Sequence, residues 1–211
     1  DAITSLTAAN NQNITLTAAT SAALTNDVAQ LNVSGTGTIS VAGASGQSFS
    51  LTASALDSYA AFEATGNGNL TITAATAADL STDINKLTVA SGTIAISGAD
   101  GQTLSISETD LLKIDTLTAD ADDDITVTAA TQANLSGDIA KLTVSGSGAI
   151  AVNGADTEDL SISETDLLLI DTLTAHADED IAVTAATQAN LSGNIAKLTV
   201  SGSGAIAVNG A

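Results

Sequence analysis

Ile125-Thr126-Val127-Thr128-Ala129-Ala130-Thr131-Gln132-Ala133-Asn134-Leu135-Ser136-Gly137 decides the fold, because the same phrase returns along the chain. It reads IAVTAATQANLSG from Ile181, LTITAATAADLST from Leu70 and ITLTAATSAALTN from Ile14, giving four copies at spacings of 56, 55 and 56 residues. A chain copied in this way is a repeat protein, in which each unit can bury its apolar strip only against the next.

Each copy divides again. Ile114-Asp115-Thr116-Leu117-Thr118-Ala119 overlays Ile139-Ala140-Lys141-Leu142-Thr143-Val144, and an apolar residue, Ile125 or Ile150, follows eight positions after each Leu. The frame opens at Ile3, Val28, Tyr59, Ile84, Ile114, Ile139, Ile170 and Ile195, in steps of 25 and then 30 or 31 residues. Runs such as Leu142-Thr143-Val144 and Ile150-Ala151-Val152 alternate large and small residues, the period of a strand with one buried face. Between them lie turns of Ser145-Gly146-Ser147-Gly148, Asp120-Ala121-Asp122-Asp123-Asp124 or Asn10-Asn11-Gln12-Asn13, all tolerant of left-handed backbone. The expected fold is mainly β: a repeat β-solenoid (β-helix-like), about eight coils of roughly 28 residues arranged as four 56-residue repeats. A single array covers 1–211, with repeats at 3–58, 59–113, 114–169 and an incomplete 170–211. The absence of an atypical repeat at the C-terminus suggests a window from a longer array or a subunit whose end docks on a neighbour.

Leu135, Ile139 and Leu142 have helical spacing, so a short helix or 3₁₀ turn is expected to close a coil. In the longer linkers Leu160-Ser161-Ile162-Ser163 reads as a third strand, and Ser163-Glu164-Thr165-Asp166 as a helix start before Leu167.

Aromatic residues make up 1% of the chain, with two Phe, one Tyr and no Trp, while Ala, Val, Ile and Leu supply nearly all of the 44% hydrophobic fraction. Such side chains suit thin stacked layers rather than a thick globular interior. The net charge of −20 arises from 24 acidic residues against four Lys and no Arg, which repels nucleic acid and anionic membranes and attracts cations. Only Asp1 and Asp27 precede Asp57, so any cation binding concentrates after it. No apolar run is long enough to insert into a membrane, and no cysteine is present to form a disulfide or a thiolate site.

Asp120, Asp122, Asp123 and Asp124 are candidate Ca²⁺ ligands, with Asp178, Glu179 and Asp180 repeating them, since hard oxygen donors clustered on a tight turn suit that ion. The competing reading makes them solubilising turn residues, because the equivalent turns at Asn10 to Asn13 and Gly66 to Asn69 carry no carboxylate. Gly66-Asn67-Gly68-Asn69-Leu70 resembles half of a calcium-binding β-roll nonapeptide, which is completed nowhere. His176, the single histidine, stands where the other repeat has Asp120 and has no nucleophile beside it, and the Ser and Thr residues have no recurring histidine. The carboxylates fall in repeated turns rather than at one singular place, which argues against an active site, so no enzyme is expected. Asn13, Asn32, Asn69, Asn134 and Asn190 match the N-glycosylation pattern where a turn Asn meets a Thr- or Ser-rich strand. Lys86, Lys141 and Lys197 hold one repeat position and should form a sparse column, available for lateral pairing or as an edge charge against uncontrolled association.

The string Leu142-Thr143-Val144-Ser145-Gly146-Ser147-Gly148-Ala149-Ile150-Ala151-Val152, with Thr, Ala, Ser and Asp richness, no Cys and few Lys, resembles the repeat regions of bacterial surface-layer proteins and giant secreted adhesins. That resemblance implies an extracellular, secreted or cell-surface segment that self-associates into a lattice, filament or stalk, stiffened by Ca²⁺. Alternatives are an adhesin spacer and a ligand-binding solenoid. Glycan recognition lacks aromatic platforms, and an ice surface would use Thr15/Thr17, Thr71/Thr73 and Thr126/Thr128, a rank that Ala182/Thr184 breaks.

Overall fold

The computed structural model describes residues 5–211, so the frame opening at Ile3 and the acid at Asp1 lie outside the described residues. The chain forms two compact units, Asp1–Ser97 and Gly98–Ala211. Both are mainly β, with parallel strands and no closed barrel.

The first unit contains strands β1 (Leu6–Ala8), β2 (Ile14–Ala19), β3 (Leu31–Val33), β4 (Ile39–Gly43), β5 (Phe49–Thr52), β6 (Ala61–Ala64), β7 (Leu70–Ala75), β8 (Leu87–Val89) and β9 (Ile94–Gly98), the last reaching the boundary. Helices α1 (Leu24–Ala29), α2 (Ala53–Leu56) and α3 (Ala77–Ile84) interrupt them. The second unit continues with β10 (Leu104–Ser107), α4 (Glu108–Leu111), β11 (Thr116–Thr118), β12 (Ile125–Ala130), α5 (Leu135–Ile139), β13 (Leu142–Thr143) and β14 (Ile150–Gly154). It ends with β15 (Leu160–Ser163), α6 (Glu164–Leu167), β16 (Thr172–Ala177), β17 (Ile181–Ala186), α7 (Leu191–Ala196), β18 (Leu198–Ser201) and β19 (Ile206–Gly210).

The described pairings join each strand to the one two places further along, always in parallel. In the first unit Ile14 faces Ile39, Val41 faces Phe62 and Phe62 faces Leu87, steps of 25, 21 and 25 residues. In the second, Leu104 faces Ile125, Ile125 faces Ile150, Val152 faces Leu173 and Leu173 faces Leu198, steps of 21, 25, 21 and 25. The expected eight coils of roughly 28 residues are therefore corrected to shorter levels of 21 or 25. The physical reason lies in the long linkers: the third strand expected at Leu160–Ser163 is β15, with counterparts β5 and β10, and each adds a strand, half of a two-strand level, that the 30- or 31-residue frame had absorbed.

One repeat thus contributes five strands, as from β2 to β6 or β12 to β16, and five is odd. Copies of the same phrase consequently enter different sheets. In the first unit β2 belongs to the sheet β2-β4-β6-β8 whereas β7 lies beside β5. In the second, β12 belongs to β10-β12-β14-β16-β18 whereas its copy β17 lies between β15 and β19.

Local chemistry explains the breaks between strands. In all four copies an alanine, Ala18, Ala74, Ala129 or Ala185, takes a positive φ of 52 to 56°, which costs a non-glycine residue on the order of 1 kcal/mol. The register of β2, β12 and β17 shifts at that point, so the strand bulges and turns aside. Thr128 and Thr184 just before it donate their hydroxyls to the carbonyls of Ile106 and Ile162 on the neighbouring strand, at 3.3 Å each. The expected helix start at Ser163 is observed: its Oγ accepts from the N–H of Asp166 at 3.1 Å and donates to Asp166 Oδ2 at 2.9 Å. Ser107 does the same with Asp110. These helices last a single turn, so their place comes from caps and packing rather than propensity.

The core is a stack of aliphatic rungs: Leu104, Ile125, Leu117 and Leu173 are fully buried, one above another with their strand partners. In the first unit Phe49 of β5 meets Phe62 of β6 edge to face at 5.2 Å, and Tyr59 meets Phe62 at 5.4 Å. The Phe49 ring occupies the space that a Cβ on Gly43 would need, so β4 ends on glycine.

Burial at a given repeat position depends on having a level on both sides. Phe62, Leu117 and Leu173 are 0% exposed, while their counterpart Leu6 is 43% exposed; Ile150 is 4% exposed, while its counterpart Ile206 is 37% exposed. Leu117→Ala should therefore cost about 2–5 kcal/mol and Leu6→Ala less than about 1 kcal/mol in urea unfolding, although the two residues hold one sequence position. Equal costs would show that neighbouring levels do not set the stability of a rung.

Candidate functional site

The acidic turns sit between strands on one level and reach to the levels on either side. Asp122 has φ 66° and Asp178 φ 70°, left-handed conformations that aspartate tolerates better than most residues. From that position Asp122 Oδ1 accepts from both the N–H and the hydroxyl of Ser147 at 2.8 Å, and Asp124 Oδ1 accepts from the N–H of Ala149 at 2.8 Å. The copy repeats the pattern: Asp178 Oδ1 takes the N–H and hydroxyl of Ser203, and Asp180 Oδ1 the N–H of Ala205. On the opposite side, Asp123 Oδ2 accepts from the N–H of Gln102 at 3.1 Å and the Asp124 carbonyl from the N–H of Leu104 at 2.9 Å. Asp120 accepts from the N–H of Ala121 within its own turn.

The turns without carboxylates use the same geometry. Asn11 Oδ1 accepts from Thr36 N–H at 2.8 Å, Asn13 from Thr38 N–H at 3.0 Å and Asn69 from Thr93 N–H at 2.9 Å. What the position requires is a short side chain with a planar oxygen, able to satisfy a backbone donor one level away. Asp and Asn both supply it. Opposite Asp122, Gly146 has φ 69°, and a Cβ there would come within 2.4 Å of the carboxylate, so both backbone conformation and space require glycine.

The electrostatics follow from these bonds. Donation from the Ser147 backbone and then its hydroxyl holds Asp122 below the usual carboxylate range, and Ser203 does the same to Asp178. Glu179 moves the other way, raised first by desolvation and then by Asp159, Asp156 and Asp178 around it. His176 lies 3.2 Å from Asp156 at this acidic end. Among the described residues, no group of three or more His, Cys, Asp or Glu is arranged to hold a metal ion.

The lysines expected as a column are each engaged within the chain. Lys141 Nζ turns inward to donate to the carbonyl of Leu111 at 2.8 Å, and Lys197 Nζ donates to the carbonyls of Leu167 and Ile170. Lys86 Nζ contacts Asp83 at 2.9 Å and Asp57 at 3.3 Å, and these two carboxylates outweigh its burial and raise it. A long flexible stem lets lysine reach carbonyls at and just beyond the end of a one-turn helix.

Sequence reasoning passed over five buried polar side chains, Asp83, Glu108, Asp138, Glu164 and Asn194. The available signal was positional: Ala53, Glu108 and Glu164 align, as do Asp83, Asp138 and Asn194, and the columns change one at a time, alanine to glutamate first and aspartate to asparagine next.

Asp122 and Asp178 have depressed folded-state values, so the stability they contribute is complete above the ordinary carboxylate range and is lost as pH falls through their lowered values. The double variant Asp122→Asn, Asp178→Asn should melt like the parent at pH 7 and lose less stability on acidification to about pH 3, while Asp122→Ala should melt lower at both. Thermal melts that place the Ala and Asn variants together at pH 7 would show that the acceptor oxygen is dispensable.

Comparison with models of protein families, with curated proteins and with solved structures finds no match to this chain.

Proposed function

We propose that each unit is a β-solenoid and that the chain is a non-catalytic, extracellular structural segment, extending or assembling a surface layer, filament or adhesin stalk. The observation that carries this reading is the parallel pairing of described strands with the strand two places on, at steps of 21 or 25 residues, so that rungs such as Leu117 and Leu173 are fully buried between their neighbours. A stack of this kind is open-ended by construction. β19 has the sequence of β14, Ile-Ala-Val-Asn-Gly, and β14 takes β16 on its far edge, a strand whose Leu-Thr-Ala recurs in β1. A further level, from the same chain or a second copy, would bury Ile206 and pair the β19 backbone.

Two other features support a structural role. Asp122, Asp123, Asp124, Asp178 and Asp180 join levels, and the three aromatic rings of the chain are buried against one another, leaving no ring for stacking on a sugar. No helix among the described residues is long and apolar enough to cross a membrane. Within this reading Ca²⁺ acts by offsetting repulsion among Asp156, Asp159, Asp178 and Glu179, the last raised first by desolvation and then by those neighbouring carboxylates.

Sedimentation velocity with negative-stain electron microscopy, in calcium and in excess chelator, tests the proposal. Concentration-dependent rods or sheets are expected, stronger with calcium, and Ile206→Asp should weaken them without lowering the melting temperature by more than a few degrees. A particle that stays monomeric at every concentration in both conditions would overturn the assembly reading; assembly unaffected by chelation would remove calcium from it.

A further inference from the structure

The second unit buries the carboxylic acid pair Glu108 and Asp138, 6% and 2% exposed, on helices α4 and α5 of different levels. Glu108 is occupied as an acceptor: Thr131 gives it a backbone N–H at 2.8 Å, and the Thr131 hydroxyl lies 2.8 and 3.0 Å from its two oxygens. Asp138 lies against Glu108 within hydrogen-bonding reach, yet neither of its oxygens receives a bond from a fixed donor. Two carboxylates cannot hydrogen-bond each other; one of them must carry a proton.

The next repeat contains the same arrangement with one atom changed. Glu164 accepts from the N–H and hydroxyl of Thr187, as Glu108 does from Thr131. Asn194 replaces Asp138, and its amide donates to Glu164 Oε1 at 3.0 Å. An amide is the permanent form of what a protonated Asp138 would be. The first unit supplies the third member of the series: Ala53 stands in place of the glutamate, and Asp83 pairs with Lys86 at 2.9 Å. In the acid pair the corresponding distance from Lys141 to Asp138 opens to 3.8 Å, and beside Asn194 the lysine bonds carbonyls instead.

We propose that Glu108 and Asp138 form a proton-operated latch between levels of the second unit: protonated Asp138 donates to Glu108 as Asn194 donates to Glu164, and deprotonation sets two buried like charges against each other. The charged groups facing Asp138 are Glu108 from α4 and Lys141 from the residue that precedes β13. Desolvation first, and the Glu108 charge second, push Asp138 up to about 6, against a smaller opposing pull from Lys141. A raised folded-state value means that the acid form stabilises the fold at low pH, and that this contribution fades as pH climbs from the ordinary aspartate value through 6. The latch therefore holds in mildly acidic surroundings and loosens above them, while the Glu164–Asn194 repeat stays closed throughout.

Hydrogen exchange read by mass spectrometry tests this on the whole chain, comparing protection factors for residues 131–145 with those for 187–201. Protection of 131–145 should fall about tenfold between pH 5 and pH 8 in the parent, and 187–201 should show no such drop. Asp138→Asn should abolish the drop and raise protection at pH 8, and Glu108→Gln should flatten it independently by removing the facing charge. Asparagine is already accommodated at the equivalent position, so the first variant is expected to fold. A pH dependence that survives both substitutions, or that is absent from the parent, would overturn the latch.

Discussion

A strand paired in parallel leaves backbone donors and acceptors directed along the stack on both edges, and satisfying them level by level is the constraint from which the rest of this structure follows. The strands do so through steps of 21 and 25 residues. The turns do so through Asp and Asn oxygens that reach across to the next level. The one-turn helices, too short to satisfy their own ends, do so through serine hydroxyls at one end and lysine ammonium groups at the other. Very few aromatic side chains are needed, because the rungs are thin and each is closed by its neighbours rather than by a deep interior.

Much of the local structure was legible in the sequence. The alternation in Ile150-Ala151-Val152, the extra strand at Leu160–Ser163, the cap at Ser163 and the short helix at Leu135 all follow from period and propensity, which act over a few residues. The level length was not legible. Self-similarity records what was copied, whereas pairing records what lies alongside, and the frame that aligned Ile114 with Ile139 ran over β10 and β15 without giving them a place among the paired strands.

The polar residues show the same division. That Asp122 and Asp178 lie in turns was evident from their neighbours, but their acceptor role needs the position of Ser147 and Ser203, 25 residues away. Charge alone favours the surface for Lys141, whereas the carbonyl of Leu111 and the buried Asp138 draw it inward. Glu108 and Asp138 were invisible because each is unremarkable on its own helix and meaningful only beside the other. In all three cases the missing information was the identity of a partner on another level.

The odd number of strands per repeat has a genetic consequence. Losing or gaining one copy would move every later strand from an even to an odd place in chain order, and so into the other series of parallel pairings, even though each pairing could still form. Losing or gaining two copies would leave later strands where they were. Unequal recombination in a gene encoding such an array would thus conserve its pairing pattern only when repeats change in pairs, so the smallest heritable unit of length is twice the unit visible in the sequence.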